Sequence, residues 1–483
     1  MKLQSTKTKL STLVALSTAL LSQIAMQPSA YAATSGSGIC QQTYTFSAGN
    51  ESVTVTSGAN YCYVAFKNLG AASSASSSYV WSKPIGVSTL DVLVIGGGGG
   101  GGARHGGGGG AGSFVQATSY AVANSATNID VVVGSGGAGA NGPIGTYVGT
   151  KGNDSSFKIG ANGLTALGGG AGQNGYSSNV NGGSGGGAGA SQTGGTATRS
   201  TQKSLDGVST LTGIEFGENG VAGTSEPASS YDFWAAGGGG GAGGIGKRPS
   251  LNGTEYVSSA FPDSNGSLAR GGDGGIGKVS SFISSTIATS LGIGQNSSGS
   301  AYFAAGGGGG MGADGGGGGL GGIGGGGDGT RAIASGGIAA LTSTGSGGGG
   351  SGFDDISPVA GDVANPPGGA GGSGIVVIRY IPVLPSVSVT VAVGDLAFRT
   401  AKSISATPTV AGKLTFRANN LIIPGCKNLS ASANVARSCN YRPNTRGNVS
   451  ISVTIVPTDS GFSSSTTRTA TYFVNKRSGA RSG

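Results

Sequence analysis

The sequence predicts a mainly β protein, with strands and packed polyglycine II helices in its central body and a β-sandwich at its C-terminal end. Three observations support this fold class. About one residue in three between Val94 and Gly374 is glycine, without the triplet register and abundant proline of collagen. The glycines occur in runs bracketed by aliphatic or aromatic phrases such as DVLVI, GIVVIRY and FWAA. Outside this body, apolar and polar residues alternate with the period of two that half-buried strands show.

The N-terminus has the pattern of a secretory signal peptide. Three lysines lie among the first nine residues, an apolar stretch runs from Leu10 to Met26, and the small-x-small motif AYA ends at Ala32. We therefore predict that residues 1–32 are a signal peptide and that the mature protein is extracellular, at the cell surface. No later stretch is long and apolar enough to span a bilayer, so no transmembrane segment is expected after cleavage.

Residues 33–80 form a predicted N-terminal β segment, which ends in the low-complexity joint AASSASSS. The four cysteines are an even number, as expected for disulfides in an oxidising compartment. Three pairings are possible. We favour the local one, Cys40 with Cys62 and Cys426 with Cys439, because each pair lies within its own β-like block.

The glycine runs allow three interpretations. A phosphate-binding loop follows a strand in the same way, but its glycines must open a helix, and VLVIGGGGGGG continues instead as ARHGGGGGAG. Glycine costs about 1 kcal/mol per residue in a helix, so this interpretation fails and no nucleotide cofactor is expected. A flexible tether is the second interpretation, although tethers do not need interleaved aliphatic strands.

The third interpretation is a scaffold of polyglycine II helices. Such helices have three residues per turn, and without side chains they can approach one another on every side and pair their backbone groups. Each net hydrogen bond returns about 1 kcal/mol, which is close to the entropic cost of ordering a residue. The net stabilising free energy must then come from burial of the flanking aliphatic and aromatic side chains. Of the two remaining interpretations we favour this one over the tether.

The body carries a recognisable set of positions, namely Trp81, Pro84, Gly86, Val87, the Gly96–Gly102 run and Gly371 to Tyr380. On these positions it resembles the bacterial and phage glycine-rich domain, over roughly Val80 to Tyr380. Related packed polyglycine helices occur in phage tail-fibre tip adhesins, where the lattice is a scaffold whose end loops or faces bind a partner. The resemblance therefore implies a glycine-rich domain over residues 81–381 with a recognition role.

Strand-like phrases and turn residues recur over residues 382–475 at the spacing of a sandwich of about 100 residues. The stretch that begins GKLTFRANN resembles a bacterial immunoglobulin-like repeat, which implies a surface stalk or spacer. A basic tail follows at 476–483. From Pro382 onward the chain carries twelve Lys and Arg residues against two Asp. We expect this module to bind an anionic wall polymer or surface, the alternative being an ordinary solvated face.

Two stretches poor in glycine runs, about 199–236 and 247–305, look inserted into the body, and VSSFISSTIATSLG in the second predicts a short helix. His105, the only histidine, is expected as an exposed residue of the ARH turn between two glycine runs. Aromatic rings near the runs either stack on sugars or cap the runs. The candidate ligand contacts are Tyr231, Phe233, Trp234, Tyr302, Phe303 and His105.

A single histidine excludes multi-histidine metal sites, and no paired carboxylates are placed for acid–base work, so no catalytic residue, metal or cofactor is expected. Nucleic acid is not an expected partner either. The sequence therefore predicts a secreted, non-catalytic adhesion protein whose polyglycine scaffold presents recognition loops to a cell-surface glycan or protein. The alternative is a structural envelope or matrix protein without a specific ligand.

Overall fold

The structure is a computed structural model. The predicted signal peptide lies outside the described residues, except that its last two residues, Tyr31 and Ala32, begin the first strand. Most of the predicted basic tail, 477–483, also lies outside them. The described residues are 31–47, 49–58, 60–84, 86–123, 128–141, 147–174, 181–189, 214–216, 234–251, 254–255, 269–312, 316–331, 336–353, 366–383, 387–391, 396–458 and 466–476.

The chain is mainly β, as predicted, with one short α-helix and one 3-10 turn (Gly38–Cys40) among the described residues. The helix is α1 (Ser285–Leu291), within the phrase that predicted it. Ser284 caps its N-terminus, and Gly292 ends it in the left-handed conformation. Up to Tyr380 the strands are β1 (Tyr31–Ser35), β2 (Gln42–Phe46), β3 (Glu51–Gly58), β4 (Tyr61–Asn68), β5 (Ser77–Ser82), β6 (Thr89–Ile95), β7 (Phe114–Ala121), β8 (Asn128–Val133), β9 (Ser155–Ile159), β10 (Asn162–Ala166), β11 (Ile214–Phe216), β12 (Ser250–Leu251), β13 (Thr254–Glu255), β14 (Ala269–Arg270), β15 (Lys278–Val279), β16 (Gln295–Ser297), β17 (Ser300–Phe303) and β18 (Ile375–Tyr380).

Two six-stranded antiparallel sheets organise this part of the chain. The strand order is β1-β2-β5-β8-β9-β10 in the first sheet and β11-β7-β6-β18-β4-β3 in the second. The predicted boundary at residue 80 falls inside β5, and β4 pairs with β18 from the far end of the glycine-rich region. The segment 33–80 and the glycine-rich body therefore share both sheets. Three smaller strands form β13-β12-β14, and three others form β15-β17-β16.

The main core lies between the two sheets and is rich in aromatic rings, including Tyr79 and Trp81 from the first sheet and Phe66 from the second. Alternate residues of the second sheet point the other way, where Ala65 and its neighbours pack against α1 and the residues around it. Because β4, β6 and β18 are covered on both faces, their sequences are nearly continuous apolar runs rather than alternating ones.

Trp81 is fully buried, and its indole Nε1 donates a 2.8 Å hydrogen bond to the side-chain oxygen of Gln42. The Gln42 amide in turn donates to the Cys40 carbonyl and to the Tyr380 hydroxyl. We expect Trp81→Phe to lower the free energy of unfolding by about 2 kcal/mol, because it leaves the buried Gln42 oxygen without its donor. Urea unfolding followed by far-UV circular dichroism measures this loss. A double-mutant cycle with Gln42→Leu is the control, and fully additive losses would contradict the assigned bond.

The C-terminal unit has two sheets that share one apolar cluster, with Ile404 from one sheet and Phe416, Ile451 and Val453 from the other. The orders are β19-β21-β25 and β20-β27-β26-β22-β23, and β24 also pairs with β22. The strands are β19 (Val387–Val391), β20 (Leu396–Ala397), β21 (Lys402–Pro408), β22 (Gly412–Ala418), β23 (Leu421–Ile422), β24 (Leu429–Ala431), β25 (Arg437–Tyr441), β26 (Gly447–Pro457) and β27 (Thr466–Asn475).

Both local cysteine pairs are confirmed as disulfides. Cys40 joins Cys62 on β4, with Cα atoms 5.4 Å apart, and Cys426 joins Cys439 on β25, with Cα atoms 5.8 Å apart. All four cysteines are buried in the apolar cluster of their own unit. These disulfides are compatible with an extracellular protein. Among the described residues, no helix is long and apolar enough to cross a membrane.

Candidate functional site

Six strands of the two large sheets continue directly into glycine-rich segments. The run after β6 begins at Gly96, and the run before β18 ends at Gly374. We call these segments and their neighbours the glycine array. The end of the array that lies beside the two large sheets is called the proximal end. The array comprises residues 96–102, 106–113, 134–140, 147–153, 167–173, 182–188, 235–247, 271–277, 305–311, 316–331, 336–341, 345–351 and 366–374.

The run 96–102 shows how the array is held together. Its backbone N–H groups donate to three different segments in turn and return to the same segment at every third residue. Its carbonyl groups accept from three further segments, so the run has six neighbours. Gly96, Gly99 and Gly102 donate to Ser113, Gly110 and Gly107; Gly97 and Gly100 donate to Asn153 and Thr150; Gly98 and Gly101 donate to Gly372 and Gly369. The N···O distances lie between 2.8 and 3.2 Å.

The runs 106–113 and 345–351 are each surrounded by six segments in the same way. The run 306–311 also has six neighbours when the two arms of 316–331, which bond to it separately, are counted one by one. Neighbouring segments approach so closely that only hydrogen fits between them. A Cβ atom added at Gly100 would lie 1.9 Å from the Ala138 carbonyl oxygen, and one at Gly101 would lie 2.0 Å from the Gly349 oxygen. The high glycine content therefore follows from the packing of backbone against backbone on all sides.

Outer segments of the array carry an aliphatic side chain at every third residue, a pattern that the sequence analysis missed. Leu320 and Ile323 lie three residues apart, as do Ile338 and Leu341, and all four side chains are between 45% and 51% exposed. The signal was present in the phrase GGLGGIGG. We call these four residues the aliphatic ridge.

The end of the array away from the sheets is the distal end, and the turn Ala103–His105 lies there. As the sequence predicts, this turn joins the runs 96–102 and 106–113. Arg104 and His105 both have positive φ angles, 55° and 60°, an uncommon conformation for residues with side chains. The turn thus reverses the chain within three residues and keeps both runs in the array.

Aromatic and basic side chains meet at the distal end in a group that we call the distal cluster: Arg104, His105, Tyr147, Trp234 and Phe353. The His105 ring stacks on Trp234 with centroids 5.3 Å apart and meets the edge of Phe353 at 5.5 Å. The Arg104 guanidinium lies 4.4 Å from the Phe353 centroid and 5.5 Å from that of Tyr147. The sequence analysis did not identify Phe353 or Tyr147 as contacts at this end.

His105 is only 6% exposed, so the expectation of an exposed turn residue is wrong. The turn itself is at the end of the array, but rings from distant parts of the chain cover it. Burial, together with the charge of Arg104, lowers the pKa of His105 to about 3, so the imidazole is neutral at physiological pH. Its Nδ1 atom and the Trp234 Nε1 atom are buried without a hydrogen-bond partner. The distal cluster therefore holds two unpaired polar atoms beside aromatic faces.

The other predicted contacts are not brought into this cluster. Tyr302 and Phe303 lie on β17 at the proximal end, and Phe303 is fully buried in the core beneath the second sheet. Phe303 lies two residues before the run 305–311 and is 0% exposed. Tyr231 and Phe233 lie outside the described residues. Within the part of the chain that the structure describes, no group of three or more His, Cys, Asp or Glu side chains is placed to hold a metal.

Several chain segments both leave and re-enter the array at its distal end. Tyr147 accepts a hydrogen bond from Ala103, Gly312 donates to Trp234, and Gly316 donates to Ala269. Gly337 likewise donates to Pro367. The segments flanked in this way, which themselves lie outside the described residues, are 142–146, 256–268, 313–315, 332–335 and 354–365.

The predicted insertion 247–305 is only partly an insertion. Residues 271–277 belong to the array, and α1 with its flanking residues covers the outer face of the second sheet. Of the 199–236 stretch, the structure describes only β11, which extends the second sheet, and the residues from Trp234 onward.

Comparison with known proteins identifies a family for most of the chain. No curated protein matches the chain, and no solved structure does. The profile of the glycine-rich domain matches residues 73–381, which is more than half of the chain and includes both large sheets in part and the whole array. The chain therefore belongs to the glycine-rich domain family.

Proposed function

We propose that the segments of the glycine array are polyglycine II helices packed side by side. The support is the return of hydrogen bonds to the same neighbour at every third residue, since this helix has three residues per turn. Six neighbours around each inner run fit the same geometry, as does the three-residue spacing of the aliphatic ridge.

On this scaffold we propose a secreted, non-catalytic recognition protein that acts at a cell surface, with a glycan or a protein as its partner. The observation that carries this proposal is the attachment of five separate chain segments at the distal end, around the distal cluster. Several segments of varied composition that begin and end on one face of a scaffold are more typical of a binding surface than of loops that only connect elements. The signal-like residues 1–32 and the two disulfides support secretion.

The physical advantage of the array is preorganisation. A loop that is held at both ends by a rigid body loses less conformational entropy when it binds, so more of the contact energy appears as affinity. In the same proposal the C-terminal unit is an immunoglobulin-like spacer that separates the distal end from the surface that retains the protein. Its two sheets and shared core support that assignment.

Loop replacement tests the recognition role. Residues 256–268 and 354–365 are replaced, one at a time, by glycine–serine segments of equal length, and a third variant carries Tyr231→Ala and Phe233→Ala. We expect at least one variant to bind cells and a glycan array at least about tenfold more weakly, as loss of a binding hot spot does. The matched control is the same replacement at 459–465 in the C-terminal unit, which should leave binding unchanged. Unchanged binding in all three variants, with unchanged unfolding curves, would refute the proposal.

A structural matrix protein without a specific ligand is the second candidate, and the aliphatic ridge favours it. Exposed apolar side chains in a regular row can pair with the same row of another copy. If this role dominates, the purified protein self-associates in sedimentation-velocity runs, and Leu320→Ser with Ile323→Ser makes it monomeric. The recognition role instead predicts a monomer that binds cells.

A further inference from the structure

The C-terminal unit gathers basic side chains at one end, formed by two turns of the chain and the end of strand β27. Phe398 follows β20 and donates its backbone N–H to Asn475 at the end of β27, and Arg399 donates its own to Pro443 in the turn between β25 and β26. Since Gly447 pairs with Val474, the same turn also lies beside the end of β27. We call Arg399, Arg442, Arg446 and Lys476, which these contacts bring together, the basic end.

The arginines of the basic end are held by specific contacts. The guanidinium groups of Arg399 and Arg446 lie 5.2 Å and 5.1 Å from the centroid of the same ring, Phe398. Arg442 donates from Nε to the Arg399 carbonyl oxygen at 2.8 Å, and its terminal nitrogens take no part in that bond. Arg399 itself adopts a positive φ of 55°, fixed by the bond from its N–H to Pro443. Two like charges thus contact the same aromatic ring.

No acidic side chain offsets this charge within the described residues of the C-terminal unit. Residues 396–458 and 466–476 contain neither Asp nor Glu, and both ion pairs among the described residues lie outside this unit. Two guanidinium groups held beside one ring repel each other electrostatically. A bound anion with several oxygens offsets that repulsion. The planar guanidinium fork matches phosphate oxygens two at a time.

We propose that the basic end binds a phosphodiester-type polyanion, a polymer with phosphate groups at regular intervals, and so retains the protein at an anionic surface. A polymer fits better than a single ion because four cationic residues, from two turns and the end of β27, lie at one end of the unit. This inference takes its setting from the proposed surface function, but its binding event does not depend on the distal end. A failure of one is therefore distinguishable from a failure of the other.

The test uses the whole mature chain and long-chain inorganic polyphosphate as the probe, with binding measured by fluorescence anisotropy from 0.05 to 0.3 M salt. We expect Arg399→Gln with Arg446→Gln to weaken binding about tenfold at 0.1 M salt and to reduce the salt dependence by nearly two released counterions. The matched control, Lys413→Gln with Arg468→Gln, removes the same charge from exposed strand positions and should change affinity less than about twofold.

Equal losses in the two double variants would overturn the proposal, because net charge alone would then explain the binding. Absence of polyphosphate binding by the unchanged protein would do the same, and so would binding only to vesicles with anionic phospholipid, which would point to a membrane surface. If the glutamine variant unfolds, Arg399→Lys with Arg446→Lys keeps the charge and removes the planar fork. It should bind about threefold more weakly, and full affinity in this variant would contradict the phosphate contacts.

Discussion

Gly100→Ala is expected to lower the free energy of unfolding of the glycine-rich domain by more than about 3 kcal/mol. The added methyl carbon would lie 1.9 Å from the Ala138 carbonyl oxygen and 2.3 Å from its carbon. If the group in contact were a side chain, it could change rotamer to relieve the clash. The group in contact is backbone, so the whole segment that contains Ala138 has to move. Any such movement breaks hydrogen bonds to the segments behind it, because Ala138 is itself bonded to Thr150.

Gly244→Ala is the matched control for this substitution. Gly244 also lies in a glycine segment of the array, but its added carbon would lie 3.1 Å from the Ile276 Cγ2 methyl and no closer than 3.8 Å to a backbone atom, the Ile276 nitrogen. We expect a change below about 0.5 kcal/mol, since alanine also restricts the unfolded chain. Urea unfolding of both variants, monitored by far-UV circular dichroism, separates them. Similar losses at the two positions would show that the inner runs are not tightly packed.

Acid is expected to destabilise the distal end through His105. Because the folded pKa of about 3 lies below the unfolded value near 6.5, the unfolded chain binds a proton first as the pH falls. The stability is thus fully present above pH 6.5, and it is lost progressively as the pH falls from 6.5 towards 3. At pH 4 the loss from this one residue should be about 3 kcal/mol.

The comparison that isolates this effect is the wild-type chain against His105→Gln, with free energies of unfolding measured from pH 7 to pH 4. Carboxylates titrate over part of the same range in both proteins, so their contribution cancels in the difference. Since His105 is the only histidine, the difference belongs to this residue. Parallel pH profiles for the two proteins would mean that the imidazole is reached by water and titrates normally.

Local pattern predicted the strands well and their partners poorly. The phrases DVLVI and GIVVIRY were identified as strands, and they are β6 and β18, paired side by side although about 280 residues separate them. The composition of AASSASSS predicts a low-complexity joint, because small polar residues are typical of flexible connections. Here small size has another use: Ser73 donates its N–H to Gly136, so the joint lies against the glycine array.

The candidate site was harder to predict for the same reason. The sequence places His105 in a turn, and the turn is where it was expected. Its burial depends on Trp234 and Phe353, which come from parts of the chain more than 100 residues away. Likewise, the scarcity of glycine runs in 247–305 predicts an insertion, whereas α1 in that stretch covers apolar residues of a sheet. Periodicity reports which face of an element is apolar, but it does not say which distant element covers that face.

The return of hydrogen bonds to the same neighbour at every third residue gives the array a reading frame. In the proposed polyglycine II helix, deleting one residue within 96–102 turns all later residues of the run by a third of a turn, so each N–H group then faces the wrong segment. Deleting three residues shortens the proposed helix by one turn, so each remaining N–H group still faces its own neighbouring segment. Changes in the length of an inner run should therefore be tolerated in units of three residues, as they are in a coding sequence.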